Sequence, residues 1–162
     1  MEATTEVLTN WGPALAIGGA TVAAILGGIG SILGTKSVGK AAAGVISEKP
    51  ETFGKFIVLS ALPGSQGIYG LIGAFMVINS FDLLSLSFEN GFGIFLACLP
   101  LAFTALFSGI FQGKVAAAGA NIIAKEPDSA PAAIILAVMV KTFAILGLLT
   151  SILLILDISA KI

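Results

Sequence analysis

The stretch GFGIFLACLPLAFTALFSGIFQG, from Gly91 to Gly113, runs for 23 residues without a charged side chain. About 20 such residues suffice to cross the hydrocarbon core of a bilayer as a helix. Three comparable stretches, 13–35, 56–81 and 131–156, bring the total to four, the last interrupted by a single charge at Lys141. Lipid offers backbone amides no water to bond, so spans of this length are expected to be helical. A transmembrane barrel would need segments of about ten alternating residues, and the chain has none. The fold class expected is an all-α membrane protein with four transmembrane helices.

Composition agrees. The 162 residues are 57% hydrophobic and 10% charged, with a mean hydropathy of +1.06, whereas soluble chains carry about 25% charged residues. Histidine is absent and the net charge is -1, which leaves no histidine-based metal site and no basic footprint for nucleic acid. Cys98 stands alone in the third stretch, so there is no disulfide framework. Glu2 and Glu6 make the N-terminal segment acidic, and the apolar run after it is too long and glycine-rich for a signal peptide. It is expected to be a retained first span.

Charge distribution orients the chain. Arginine is absent; Lys36, Lys40, Lys49 and Lys55 surround the first connection, and Lys114 and Lys125 flank the third. The middle connection, Ser80 to Asn90, carries Asp82 and Glu89 but no basic residue. The positive-inside rule therefore puts the first and third connections in the cytoplasm and both termini on the opposite side, with Lys161 a mild exception. The expected organisation is a tail over 1–12, a first hairpin over 13–81 with a cytoplasmic loop about 47–53, a non-cytoplasmic loop over 82–90, and a second hairpin over 91–158 with a loop about 125–130. The two cytoplasmic loops are either plain solvated turns or a small polar surface for a soluble partner.

The halves resemble one another. Pro50 and Pro127, and Gly70 and Gly147, are each 77 positions apart, while Gly28-Ile29 matches Gly109-Ile110 at a separation of 81. The expectation is a parallel duplication of a two-helix hairpin, with one extra helical turn in the first half. The arrangement is unlike the inverted repeats of many secondary transporters. Small residues four apart, Gly30 and Gly34 in the first span and Gly109, Gly113 and Ala117 in the third, let helix backbones approach closely. They serve either pairing within one bundle or a crowded inner cylinder built from the first and third spans of many copies.

Polar groups at membrane depth are the best functional pointers in such a chain. The second span holds Leu62-Pro-Gly-Ser-Gln-Gly-Ile-Tyr69, the third Gln112, and the fourth Lys141 and Thr142. Pro63 lacks an N–H and leaves the Leu59 carbonyl unbonded. Gly64 softens the helix, so that carbonyls such as that of Leu62 can turn toward a ligand. Ser65 and Tyr69 share a face one turn apart. Interhelical hydrogen bonding would account for one glutamine; the whole set fits an oxygen-rich pocket for a hard monovalent cation or its mimic.

At these residues the chain resembles subunit K of bacterial V-type Na⁺-ATPases, the duplicated proteolipid of a membrane rotor. The resemblance runs from about Gly27 to Leu156. It rests on Leu62-Pro-Gly-Ser-Gln-Gly-Ile-Tyr-Gly70, Leu99-Pro-Leu-Ala-Phe-Thr104, Phe107-Ser-Gly-Ile-Phe-Gln-Gly-Lys-Val-Ala-Ala-Ala-Gly119 and Ala144-Ile-Leu-Gly147. It implies two tandem hairpins assembling into a closed homo-oligomeric ring that turns against an a/I-type stator subunit and joins a central-stalk subunit, in a bacterial plasma membrane. It also implies a Na⁺ site: the Leu62 carbonyl, the Ser65 hydroxyl and the Gln66 and Gln112 amides as ligands, with Tyr69 steadying a carboxylate. The glutamine pair favours Na⁺ over H⁺.

The family's helix-four glutamate is replaced here by Lys141, and no Asp or Glu lies within the four stretches. Lys141 lies ten residues beyond Pro131, about 15 Å along a helix. A charge at that depth costs about 2.5–3.5 kcal/mol on the insertion scale. The expectation is that its ammonium takes the cation's place, bonded to the Leu62 carbonyl, Ser65, Gln66 and Gln112, in a ring that assembles but does not pump in the ordinary way. The competing expectation is a neutral amine that itself carries protons. No phosphate-binding loop is present, so the chain has no ATP site of its own. Two other classes stay open: a stand-alone transporter using Lys141 for an anionic substrate, and a channel of gap-junction type.

Overall fold

The computed structural model describes residues 10–162; most of the expected tail, with Glu2 and Glu6, lies outside the described residues. Four helices are long and apolar enough to cross a membrane: α1 (Gly12–Glu48), α2 (Pro50–Ser80), α3 (Phe88–Lys125) and α4 (Pro127–Ser159). At 31 to 38 residues they are about 47–57 Å long, well beyond a hydrocarbon core. α1 and α3 continue unbroken past their apolar stretches, through Lys36 and Lys40 in one and Lys114 in the other. The hairpin turns at that end are correspondingly tight: Lys49 alone separates α1 from the 3-10 turn Pro50–Thr52, and Glu126 alone precedes Pro127–Ser129.

The glycine stripe is used inside the chain. A Cβ on Gly30 would lie 2.7 Å from the carbonyl oxygens of Ala105 and Leu106, and one on Gly109 would lie 2.5 Å from the Gly30 carbonyl carbon. Gly34 meets Gly109 and Gly113, and Gly12 meets Gly91. The facing pairs rise together along the sequence, so α1 and α3 run parallel, backbone against backbone. α2 packs antiparallel on α1, with Gly27 against the Gln66 carbonyl and Gly70 against Ala23. α4 does the same on α3, with Gly147 against Thr104 and Gly119 against Ala133. Two like-oriented hairpins result.

Two prolines lie within the spans, and a serine from a neighbouring helix serves each. Pro63 turns α2 into a 3-10 segment at Leu62–Gly64. Ser31 Oγ of α1 donates to the Gly64 carbonyl at 3.0 Å and accepts from the Gly67 N–H at 2.7 Å. In α3, Pro100 leaves the helix unbroken, and the Leu101 N–H donates to Ser151 Oγ of α4 at 3.0 Å. Membrane helices tolerate proline where such groups re-satisfy the freed backbone.

The lysine-rich end is tied across the hairpins. Lys49 Nζ donates to the Ala124 carbonyl in the last turn of α3, and Lys55 Nζ donates to the Pro127 carbonyl, both at 2.6 Å. At the other end the loop Phe81–Ser87 joins the hairpins covalently, Ser87 capping α3 through the Asn90 N–H at 3.3 Å.

Replacing Gly30 by valine is expected to cost about 3 kcal/mol by overpacking, read as a lowered melting temperature in detergent. Gly39 faces open space, so Gly39→Ala leaves the folded single chain intact.

Candidate ion site

The side chains of Gln66 in α2 and Gln112 in α3 are fully buried and meet directly, Gln66 Nε2 donating to Gln112 Oε1 at 2.7 Å. Gln66 reaches this point because Gly27 lets α2 lie against α1 at the Gln66 backbone. Its Nε2 donates also to Ser108 Oγ at 3.2 Å. Ser108 Oγ in turn donates to the Val140 carbonyl of α4 at 3.0 Å. One chain of hydrogen bonds thus crosses three helices at membrane depth.

Ser65 completes the α2 side. Its hydroxyl lies 2.9 Å from the Leu62 carbonyl and 3.3 Å from Gln66 Oε1, both of which can accept from it. The Leu62 carbonyl, at the start of the 3-10 segment Leu62–Gly64, faces the Ser65 hydroxyl three residues on. Tyr69 is half-buried and packs on the core beyond this cluster; Thr142 is exposed on α4.

Lys141 lies on the inward edge of α4. The buried residues of that helix include Ala133, Ala137, Ala144, Gly147 and Ser151, and Lys141 falls four after Ala137 and three before Ala144, on the same stripe. It is half-buried. The expected bonds from its ammonium to the Leu62 carbonyl, Ser65, Gln66 and Gln112 are not formed: among the described residues Lys141 Nζ has no hydrogen-bond partner. Gln112 Nε2, although buried, also has no partner. Ser31, Ser108 and Ser151 were not singled out from sequence. Single serines in apolar helices are common, and only the register between helices reveals what they bond.

A duplicated pair of antiparallel apolar hairpins with a polar cluster at mid-depth is the architecture of a membrane proteolipid. The family model for the ATP synthase C subunit matches the chain twice, over residues 18–77 and 95–154, and the chain belongs to this family. It stands among the subunit K proteolipids. It is 45% identical over 151 residues to the V-type sodium ATPase subunit K of Enterococcus hirae, covering 93% of this chain and 96% of that one. It is 37% identical over 136 residues to the A-type ATP synthase subunit K of Methanocaldococcus jannaschii, covering 84% of this chain and 59% of that one. Identity to the 16 kDa proteolipid of the human V-type proton ATPase is 27% over 139 residues, covering 86% and 89% of the two chains.

The two family matches begin and end 77 positions apart, and α1 and α3 end at Glu48 and Lys125, also 77 apart. The extra helical turn expected in the first half is therefore absent. On this register Ser31 corresponds to Ser108, Thr35 to Gln112, and Gly64 to Lys141.

Gln66→Leu leaves two Gln112 polar groups buried without partners and is expected to cost about 2–3 kcal/mol. The double variant Gln66→Leu/Gln112→Leu recovers part of this loss, because no amide is left stranded. Melting of the wild type, both single variants and the double variant in detergent completes the cycle.

Proposed function

We propose that the chain is the rotor-ring subunit of a V-type ATPase in a bacterial plasma membrane, and that Lys141 makes its ring silent toward ordinary cation transport. The carrying observation is the buried Gln66–Gln112 hydrogen bond at membrane depth, with Lys141 on the facing stripe of α4 where the resemblance calls for a carboxylate. Copies of the chain form a closed ring. Its Lys49 and Glu126 turns lie in the cytoplasm and meet a central-stalk subunit, while the α4 side meets the stator. Membership in a family with sodium and proton ATPase relatives supports the rotor reading.

The cation is cargo here, and Na⁺ is the cargo for which the oxygens of this site are suited. The Leu62 carbonyl, Ser65, Gln66 and Gln112 supply neutral oxygens, which hold a metal cation but do nothing for a proton that a lone carboxyl could carry. Lys141 alters this in two ways. It removes the one negative charge that would balance the cation, and its own positive charge repels a cation at close range. A stator cation that would attract a glutamate also repels it.

The test is ²²Na⁺ binding to the purified assembly. Wild-type protein is expected to show no saturable binding at micromolar sodium, and Lys141→Glu to gain it. Saturable binding by the wild type overturns the silent-ring reading. Proton uptake by reconstituted protein that vanishes in Lys141→Met would establish the neutral-amine alternative in its place. A projection image of the purified protein is expected to show a closed ring, and a dimer overturns the rotor assignment.

A further inference from the structure

Ser108 of α3 touches groups on two other helices. Its Oγ lies 3.0 Å from the Val140 carbonyl oxygen of α4 and 3.2 Å from the side-chain amide of Gln66 in α2. Two oxygens that close repel unless a hydrogen lies between them, and a carbonyl has none to give. The single hydrogen of Ser108 therefore points at Val140. Toward Gln66 the hydroxyl offers only lone pairs, so the amide must meet it with nitrogen. Turned the other way, Gln66 would set Oε1 against the Ser108 oxygen with no hydrogen between. Ser108 is 4% exposed, so water does not compete for those lone pairs.

That choice orders the rest of the cluster. Gln66 Nε2 gives its second hydrogen to Gln112 Oε1 at 2.7 Å, and Gln112 Nε2 is the buried atom left without a partner. Gln66 Oε1 is then 3.3 Å from Ser65 Oγ, which is itself 2.9 Å from the Leu62 carbonyl. Three oxygens stand together on α2, with the one Ser65 hydrogen to serve two of them. A flipped Gln66 would put N–H hydrogens among the atoms that a metal cation needs as oxygens.

The first half of the chain repeats the joint with no freedom to reverse it. Ser31, 77 positions before Ser108, donates to the Gly64 carbonyl at 3.0 Å and accepts from the Gly67 N–H at 2.7 Å. A backbone N–H cannot be exchanged for an oxygen, so the polarity of Ser31 is fixed by the chain itself. In both halves the serine gives its hydrogen to a carbonyl of its hairpin partner and takes one from α2, at Gly67 or at the adjacent Gln66.

We infer that Ser108 is a positioning residue of the ion site: with its hydrogen committed to the Val140 carbonyl, it holds Gln66 Nε2 and so keeps Gln66 Oε1 turned toward Ser65 and the Leu62 carbonyl. The polarity of an amide in α2 is thereby set by a backbone carbonyl of α4, one residue before Lys141. The ion role rests on the reading above that these oxygens suit a cation; the direction of the amide stands apart from it.

The chain has two glutamines, so protein labelled with ¹⁵N in glutamine side chains gives two NH₂ groups by NMR, which Gln112→Leu assigns. In the wild type both Gln66 amide hydrogens are expected downfield, as bonded hydrogens are, and both Gln112 hydrogens at unbonded positions. Ser108→Ala is expected to move one Gln66 hydrogen upfield. Ser108→Thr is expected to restore it, since it keeps the hydroxyl and its methyl has room in the groove of about 270 Å³ that Ser108 lines. In the Lys141→Glu background Ser108→Ala is expected to weaken ²²Na⁺ binding about tenfold, the worth of one hydrogen bond, and Ser108→Thr to preserve it. A downfield hydrogen on Gln112, or Gln66 signals indifferent to Ser108→Ala, overturns the orientation. Equal ²²Na⁺ affinity in the alanine variant and its Lys141→Glu parent overturns the positioning role. Lys141→Glu protein that binds no ²²Na⁺ at all ends the cation reading and with it the ion role of Ser108, while the amide signals still decide the orientation.

Discussion

The approach of α1 to its neighbours, backbone to backbone, fixes the positions of everything else. Gly27 abuts the carbonyl of Gln66, and Gly34 abuts both Pro63 and Gly109. These two residues, seven apart on one face of α1, hold the kinked part of α2 on one side and the middle of α3 on the other. Gln66 and Gln112 can then span the remaining space with a 2.7 Å hydrogen bond. A side chain larger than hydrogen at Gly27 would push α2 outward at the residue on which the cluster depends. The glycines are usually read as packing residues alone; here they also set the width of the polar site.

A second constraint acts through the backbone. In hydrocarbon a freed N–H or carbonyl must find a partner inside the protein, and the prolines free several. Ser31 and Ser151 meet that demand at Pro63 and Pro100. Ser108, which corresponds to Ser31 in the other half, likewise donates to a carbonyl of its own hairpin partner, that of Val140. The duplicated serines therefore do related work. In the first half the serine supports a kink, and in the second it joins the glutamine pair to the helix carrying Lys141. The halves have diverged in chemistry while keeping the same joint.

The four spans, their alternating direction and the duplication were legible in sequence, because each rests on a signal longer than a helical turn. Hydrophobic length, lysine asymmetry and the 77-residue spacing of Pro50 and Gly70 from their counterparts are of this kind. The misread register of the first span has a physical cause. A stripe of small residues every four positions coincides with itself when slid by one turn, so Gly28 matches Gly109 at 81 almost as well as the true correspondence does at 77. In the site, the convergence of Gln66 and Gln112 was legible from residue type and depth. The use of Ser108, and the position of Lys141 outside the network, depend on interhelical register and rotamers that no sequence pattern encodes.

Lys49 and Lys55 bind carbonyls of the other hairpin at one end of the molecule, and Phe81–Ser87 joins the hairpins at the opposite end. Between these ends the glycine faces of α1 and α3 lie in contact along most of their length. A sideways load applied to α4 alone is therefore shared by all four helices. The two ancestral units cannot slide past one another, and the chain bears shear as a single stave.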